Sequence, residues 1–277
     1  MPPNKRNARG RQPRKRRKRR RAFGPISMIV LIIAVGVFVF SLYQLFINLW
    51  PYFEGGRIYD GVRLHITTEQ IVDEGGNTRV RLSSIDFEGL REINPDTIAW
   101  LRFDQPEAIN YPVVRSHDNA EYLTRAFDGS YNILGAIFMD MYNNANFRDR
   151  NTFIHGHNMH IGGGMFSQLS DYRDVAFARA NPYFYIYTPD GFVRTYRVFA
   201  AAEVRDNDPR YQMNFVDDAD FQNYLDMIRQ SSFYIIEEVQ VGVDSHIVTL
   251  STCTNVRDED RFILHGVLVA LQAEWAD

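Results

Sequence analysis

The sequence predicts a mostly β, α+β domain held behind a single membrane-spanning helix. Three observations carry that prediction. Twelve Lys and Arg residues within the first 21, with no acid among them, run directly into an uncharged stretch from Ala22 to Phe53. From Tyr111 onward the chain breaks into short apolar or alternating runs separated by turn residues, the pattern of barrel or sandwich strands. One late segment, Asp217–Ser231, leaves that alternation and repeats its apolar residues with a helical period.

Taken in order, the first element is the span. Its apolar part, Ile26–Leu49, is 24 residues, enough to cross a hydrocarbon core about 30 Å thick at roughly 1.5 Å per residue. Trp50 and Tyr52 follow where an interfacial aromatic belt belongs. A cleaved signal peptide is the competing reading, but its apolar region is usually about 7–15 residues long and ends in a small-residue cleavage site. No such site is found near Trp50-Pro51-Tyr52. The expected layout is a basic cytoplasmic tail over 1–25, a transmembrane anchor over 26–50, a linker and helical region over 51–93, and the main folded domain over 94–277. The positive-inside rule makes this a single-pass type II protein of the cell membrane, with everything after about Pro51 outside.

Next, Thr67–Glu74 reads as a helix and Gly75-Gly76-Asn77 as a turn. Asn94-Pro95-Asp96 reads as a helix start, with Asn94 as N-cap and Pro95 at the first helical position. Strands are expected at Tyr111–Val114, Ala136–Met139, Thr152–His155, Tyr183–Thr188, Phe192–Glu203, His246–Leu250 and Phe262–Ala270. In Asp217–Ser231, Phe221, Tyr224, Leu225 and Ile228 fall at i, i+3, i+4 and i+7 behind an Asp217-Asp218 cap, so a helix is inserted between two late strands.

Charge is divided along the chain. Of 31 basic residues 12 lie in the tail, leaving 19 against all 34 acids, a formal charge of about −15 on the remainder. An acidic exterior excludes a nucleic-acid partner for the folded part, because phosphate binding needs a basic face. The tail alone resembles a nucleic-acid arm, but directly before a span it serves as a topology signal that touches anionic lipid.

Cys253 is the sole cysteine and follows the apolar run His246–Leu250. It has no intrachain disulfide partner, so it is either an inert buried residue or a nucleophile. A free thiol near pKa 8.5 is only a few per cent thiolate at neutral pH and needs a base or cation beside it. Three of the seven histidines cluster in His155-Gly156-His157-Asn158-Met159-His160, just after an expected strand, and a histidine on a glycine-flanked loop is free to enter a cleft. The cluster also reads as a metal-ligand run, although no nearby carboxylate completes a set. His155 and His160 read as polar loop residues, and His65, His117, His246 and His265 as structural or surface residues. Arg261 opens the last strand eight residues after Cys253. A seven-residue return to an antiparallel neighbour brings it back beside the thiol, where its fixed donors can stabilise a thiolate or an oxyanion. The alternative is an ordinary loop arginine paired with Asp258, Glu259 or Asp260.

Thr249-Leu250-Ser251-Thr252-Cys253-Thr254, the arginine eight residues on, and Gly156-His157-Asn158-Met159 together resemble the sortases, cysteine transpeptidases that attach proteins to the Gram-positive cell wall. Asn110–Val114, Asp118–Leu123, Gly135–Asp140 and Gly164-Met165-Phe166 resemble class B in sequence and order. The resemblance covers about Asn94 to Val269. It implies an eight-stranded β-barrel with N-terminal helices and a helix before the seventh strand, which Asp217–Ser231 fits. It implies that His157, Cys253 and Arg261 form the catalytic set, that Asn119 and Leu123 line the sorting-signal groove, and that Ser251 and Thr252 lie in the substrate site beside the nucleophile. His155 stands where many relatives have Tyr.

The implied activity is cleavage of a secreted protein's C-terminal sorting signal after Thr, followed by transfer to an amine on a lipid II-type cell-wall precursor or a pilin. No cofactor is expected. Two readings from other classes stand beside it: a zinc hydrolase built on the histidines of 155–160, and a non-catalytic surface module that binds peptides.

Overall fold

The structure, a computed structural model, describes residues 24–72, 78–159, 162–253 and 260–273, without the side chains of 70–72, 78–81 and Cys253. The basic tail and the Gly75-Gly76-Asn77 turn lie outside the described residues. The chain forms two compact units, one up to Asn48 and one from Leu49 onward. The first holds the apolar part of α1 (Pro25–Val62), the one helix among the described residues long and apolar enough to cross a membrane.

This helix extends beyond Trp50 into the stretch read from the sequence as a linker and helical region. It runs through Pro51, whose ring removes one backbone donor, and continues to Val62. Within the second unit Gly55, Tyr59 and Val62 are buried, so packing outweighs the proline.

Two sequence expectations in the next stretch fail. The helix expected over Thr67–Glu74 is a strand in its described part: β1 (Ile66–Val72) pairs antiparallel with β2 (Thr78–Ile85). The β-branched run Ile66-Thr67-Thr68, with Ile71-Val72, prefers extended backbone. Asn94 is not an N-cap but the C-cap of α2 (Phe87–Ile93), whose N-cap is Asp86, accepting from Gly89 N at 2.9 Å. Asn94 instead sends its side-chain amide to Tyr122 Oη (2.9 Å) and Phe127 O (2.8 Å). The Asn-Pro-Asp turn thus opens a strand, β3 (Thr97–Phe103), that periodicity alone missed.

The remaining strands fall close to the expected runs: β4 (Asn110–Val114), β5 (Ile137–Met139), β6 (Asn151–His155), β7 (Tyr183–Thr188), β8 (Phe192–Arg205), β10 (Ile247–Cys253) and β11 (Asp260–Ala273), with a two-residue β9 (Tyr234–Ile235) on the edge of β8. Pairing runs β3-β4-β5-β6-β10-β11-β8-β7 and returns to β3, an eight-stranded closed barrel. Closure removes the exposed edges that an open sheet presents. In the core Phe103, Phe184 and Tyr196 stack in succession, and Leu101, Ile154, Leu250 and Leu264 are fully buried in the same cluster. The short α3 (Val175–Ala180) precedes β7.

The inserted helix α4 (Asp218–Ser231) forms as its period predicts, between the sixth and seventh barrel strands. Asp217 caps it by accepting from Asp220 N at 2.8 Å, and Phe221, Tyr224, Leu225 and Ile228 are the residues it buries.

Candidate active site

β10 lies between parallel β6 and antiparallel β11, so both of its neighbours fix where it ends. Cys253 is its last residue and pairs directly with Arg261 on β11. The return expected from the sequence therefore brings the arginine backbone opposite the cysteine. The Cys253 side chain and the connecting residues 254–259 lie outside the described residues.

On the other side Ser251 pairs with His155, the last residue of β6. Gly156 then turns the chain, its N–H donating to Ser251 O at 3.1 Å. A Cβ there would stand 2.4 Å from Ile137 Cδ1 and 2.8 Å from Phe166 Cδ2, so only glycine fits. Phe166 N closes the loop by donating to His157 O at 2.9 Å.

His157 Nε2 lies 2.7 Å from Leu123 O. A carbonyl oxygen only accepts, so Nε2 carries the hydrogen and Nδ1 keeps the lone pair of the neutral ring.

A cavity of about 270 Å³ opens here, lined by Asn119, Leu123, Phe138, Asp140, His155, Gly156, His157, Asp206, Tyr211, Ser251, Thr252 and Arg261. Every expected site residue whose side chain is described thus borders one space. Arg261 donates from Nη1 to Asp260 O at 3.2 Å, and its Nη2 lies 3.9 Å from Asp206 Oδ2. Asp258 and Glu259, the other partners the sequence offers, lie outside the described residues. Ser251 Oγ meets Tyr211 Oη at 2.7 Å. Thr252 Oγ1 is buried with no hydrogen-bond partner among the described residues. Asn119 is held at both ends: Nδ2 donates to Asp140 Oδ2 at 2.9 Å, and Oδ1 accepts from Met141 N at 2.8 Å.

His155 is not the loose polar residue expected. It ends a strand, its ring lies beside Phe138 and Phe153, and its Nε2 is 3.1 Å from the same Asp140 carboxylate. Burial acts to raise the Asp140 pKa, yet the bonds from His155, Tyr142 N and Asn119 outweigh it and hold the carboxyl below its usual range. The ring therefore shares a buried acid with the groove residue Asn119.

His160 lies outside the described residues. His65 pairs with Asp86, His117 stands exposed near Asp118 and Glu121, His246 meets Asp149 O and His265 meets Thr249. Among the described residues no three His, Cys, Asp or Glu side chains gather as metal ligands do.

Besides His155, Gly156 and Phe138, three polar lining residues were given no site role by the sequence reading: Asp140, Tyr211 and Asp206. Asp140 ends the Gly135–Asp140 stretch already singled out, so a partner for a polar groove was within view. Tyr211 stacks on Phe153 at 5.1 Å and reaches the site from a one-turn 3₁₀ helix at Pro209–Tyr211, whose only sequence mark is the Asp208-Pro209 turn. Asp206 just past β8 carries no local signal.

The barrel, with a cysteine ending one strand, an arginine opposite it and a histidine on the adjoining loop, has close counterparts among known proteins. A family model of the sortase domain matches residues 104–269. Sortase B of Listeria monocytogenes is 31% identical over 242 residues, covering 86% of this chain and 94% of the relative. Sortase B of Staphylococcus aureus is 32% identical over 174 residues, covering 62% and 69%. Among solved structures, a Staphylococcus aureus sortase B–substrate complex superposes with a TM-score of 0.61 at 29% identity, covering 66% of this chain and 84% of the other. One of sortase B from Bacillus anthracis gives 0.65 at 26% identity, covering 80% and 99%. The chain belongs to the sortase family of cysteine transpeptidases, and within that family to class B.

Proposed function

We propose that this chain is a membrane-anchored transpeptidase that cuts a C-terminal sorting signal after Thr and joins the new carboxyl end to a cell-wall or pilin amine. The observation that carries the reading is the direct pairing of Cys253 with Arg261 at a barrel rim whose cavity is also lined by His157. The substrate complex of the Staphylococcus aureus relative supports a substrate as the ligand of this groove.

In the first half-reaction the Cys253 thiolate adds to the threonyl carbonyl carbon and its electron pair moves onto oxygen. Arg261, always charged, stabilises that oxyanion. The oxyanion collapses, the C–N bond breaks, and the departing amine takes from Nδ1 of His157 the proton that Nδ1 accepted when the Cys253 thiol became the thiolate, while Nε2–H stays on Leu123 O. A thioester remains. In the second half an acceptor amine attacks the thioester, His157 takes its proton, an amide forms and the thiolate leaves. Asn119, Leu123, Ser251 and Thr252, which line the cavity, hold the peptide.

The direct test uses the full-length chain in detergent micelles with a library of quenched fluorescent pentapeptides and an added amine. The expected result is cleavage with transfer, and a mass-resolved thioester on residues 247–261. Cleavage that persists in Cys253→Ala with no covalent adduct would remove the thiol mechanism.

A further inference from the structure

The part of α1 beyond Leu49 reaches the turn that supports the histidine. Tyr59 is 3% exposed. Its ring stands edge-on to Tyr111 with centroids 5.2 Å apart, and its hydroxyl donates to Gly135 O at 2.7 Å. About two turns earlier on the helix, Pro51 O accepts from Asn132 Nδ2 at 3.0 Å. Asn132 Oδ1 in turn accepts from Leu134 N, and Gly135 N donates to Asn132 O. The 132–135 turn is therefore tied to the helix at both of its ends.

Its opposite side touches the candidate active site. Gly135 has φ +59°, and a Cβ there would stand 2.4 Å from Tyr122 O, 2.9 Å from Leu123 O and 3.0 Å from His157 Cδ2. Leu123 O is the acceptor that fixes His157 Nε2, and Ala136 N donates to the preceding carbonyl, Tyr122 O, at 3.0 Å. The imidazole and its acceptor both rest on the Gly135 backbone, and Tyr59 holds that backbone from behind. Burial keeps the phenol proton in place far above the usual tyrosine range, so the donor persists at any working pH.

We infer that Tyr59 is a positioning residue for the transfer reaction: its bond to Gly135 O sets the 132–135 turn, and through it the contact between Leu123 O and His157 Nε2 that selects the imidazole tautomer. The inference rests on His157 being the acid–base group. Tyr59 lies outside the 104–269 stretch that matches the family model, and it belongs to the helix that continues from the membrane span.

The test compares Tyr59→Phe with Val62→Ala in the full-length protein in micelles. Tyr59→Phe keeps the ring and removes the hydroxyl, which donates to Gly135 O and also meets the Phe127 backbone; Val62→Ala loosens the same buried helix face and keeps both bonds. For Tyr59→Phe we expect kcat to fall about 3–10-fold, the rate equivalent of one hydrogen bond, with KM unchanged. In ¹⁵N-histidine spectra the His157 Nε2–H form should lose population and its titration midpoint should move. Val62→Ala should lower the melting temperature and leave both readouts alone. Wild-type kcat with an unmoved His157 titration in Tyr59→Phe would overturn the inference, as would an equal kcat loss in Val62→Ala. Should the wild-type chain form no thioester with any peptide, the acid–base reading fails, and the histidine spectra still decide whether Tyr59 sets His157.

Discussion

Two histidines separated by a single glycine have different surroundings, and that difference predicts different consequences of removing them. His157 meets a backbone carbonyl and lines the cavity; His155 meets a buried carboxylate. His157→Ala should lower the rate of thioester formation by about 10²–10⁴, the usual worth of a positioned acid–base group. His155→Ala should keep that rate within about tenfold but leave Asp140 one donor short, at a cost of about 1–3 kcal/mol in urea unfolding. Single-turnover kinetics and denaturation midpoints on the two variants check both halves, and the reverse order of rates would mean that the histidine assignments are exchanged. At Arg261 the guanidinium geometry is the issue. Arg261→Ala should lose about 10²–10³ in kcat and Arg261→Lys should recover little of it, because an ammonium is a point charge without a planar fork. Full activity in the lysine variant would leave only a general charge effect.

At the scale of elements, the strand pair β10–β11 is fastened by a buried polar chain as well as by its ladder. Thr249 Oγ1 donates to Asn151 Oδ1 at 2.7 Å, so it accepts from His265 Nδ1 at 2.9 Å. Asn151 Nδ2 reaches Tyr224 Oη at 2.8 Å, which ties α4 to the same strands. With its hydrogen on Nδ1, fully buried His265 has a bare Nε2 that finds no partner among the described residues. Burial foremost, and then the charge of Arg210, push its pKa down to about 3. Unfolding lets this ring take up a proton at its ordinary value near 6.5, so the unfolded state binds more protons between about pH 3 and 6.5. The stabilisation from the neutral buried ring is complete above about pH 6.5 and is lost as pH falls toward 3, at up to about 1.4 kcal/mol per pH unit. The urea midpoint should therefore drop between pH 7 and pH 4.5, and His265→Met should flatten that slope. An equal slope in the variant would assign the acid sensitivity elsewhere. Asp140, whose carboxyl is held low, adds its loss at still lower pH and does not confuse the comparison.

For the whole molecule, the continuity of α1 changes where the chain can be cut. The apolar segment long enough to cross a membrane and the buried stretch beyond it are one helix, Pro25–Val62, with buried residues only from Gly55 onward. Deleting residues 1–48 should give a folded, peptide-cleaving protein that no longer anchors substrates in cells. Deleting 1–62 removes Tyr59, Val62 and the Pro51 carbonyl together, and should cost several kcal/mol of stability because two large buried side chains are lost. Thermal melts of the two truncations separate these outcomes; equal melting temperatures would mean the helix extension contributes nothing. External protease on intact protoplasts tests the orientation. The proposed type II arrangement predicts digestion of the Leu49–Asp277 unit, and its protection would reverse the topology.

Local chemistry was enough to predict the long apolar helix, the inserted helix and most barrel strands, because hydrophobic period and cap residues act within one element. Phe221, Tyr224, Leu225 and Ile228 announce the buried face of α4 without reference to anything else. The same local rules misread Thr67–Glu74 and Asn94-Pro95-Asp96. There the choice between helix and strand depended on partners far along the chain: β2 for the first, and Tyr122 and Phe127 for the second. Spacing offered Cys253, Arg261 and the histidines of 155–160 as candidates, since a lone thiol, a glycine-flanked imidazole and a returning arginine are chemical types that can be paired, and the sortase resemblance implied His157 among them. What their neighbours do was not. Asp140 beneath His155, Tyr211 on Ser251, and Tyr59 behind Gly135 are joined across 15, 40 and 76 residues. Such contacts exist only once the barrel has closed, because hydrogen bonding is set by distances in space and leaves no periodic trace in the sequence.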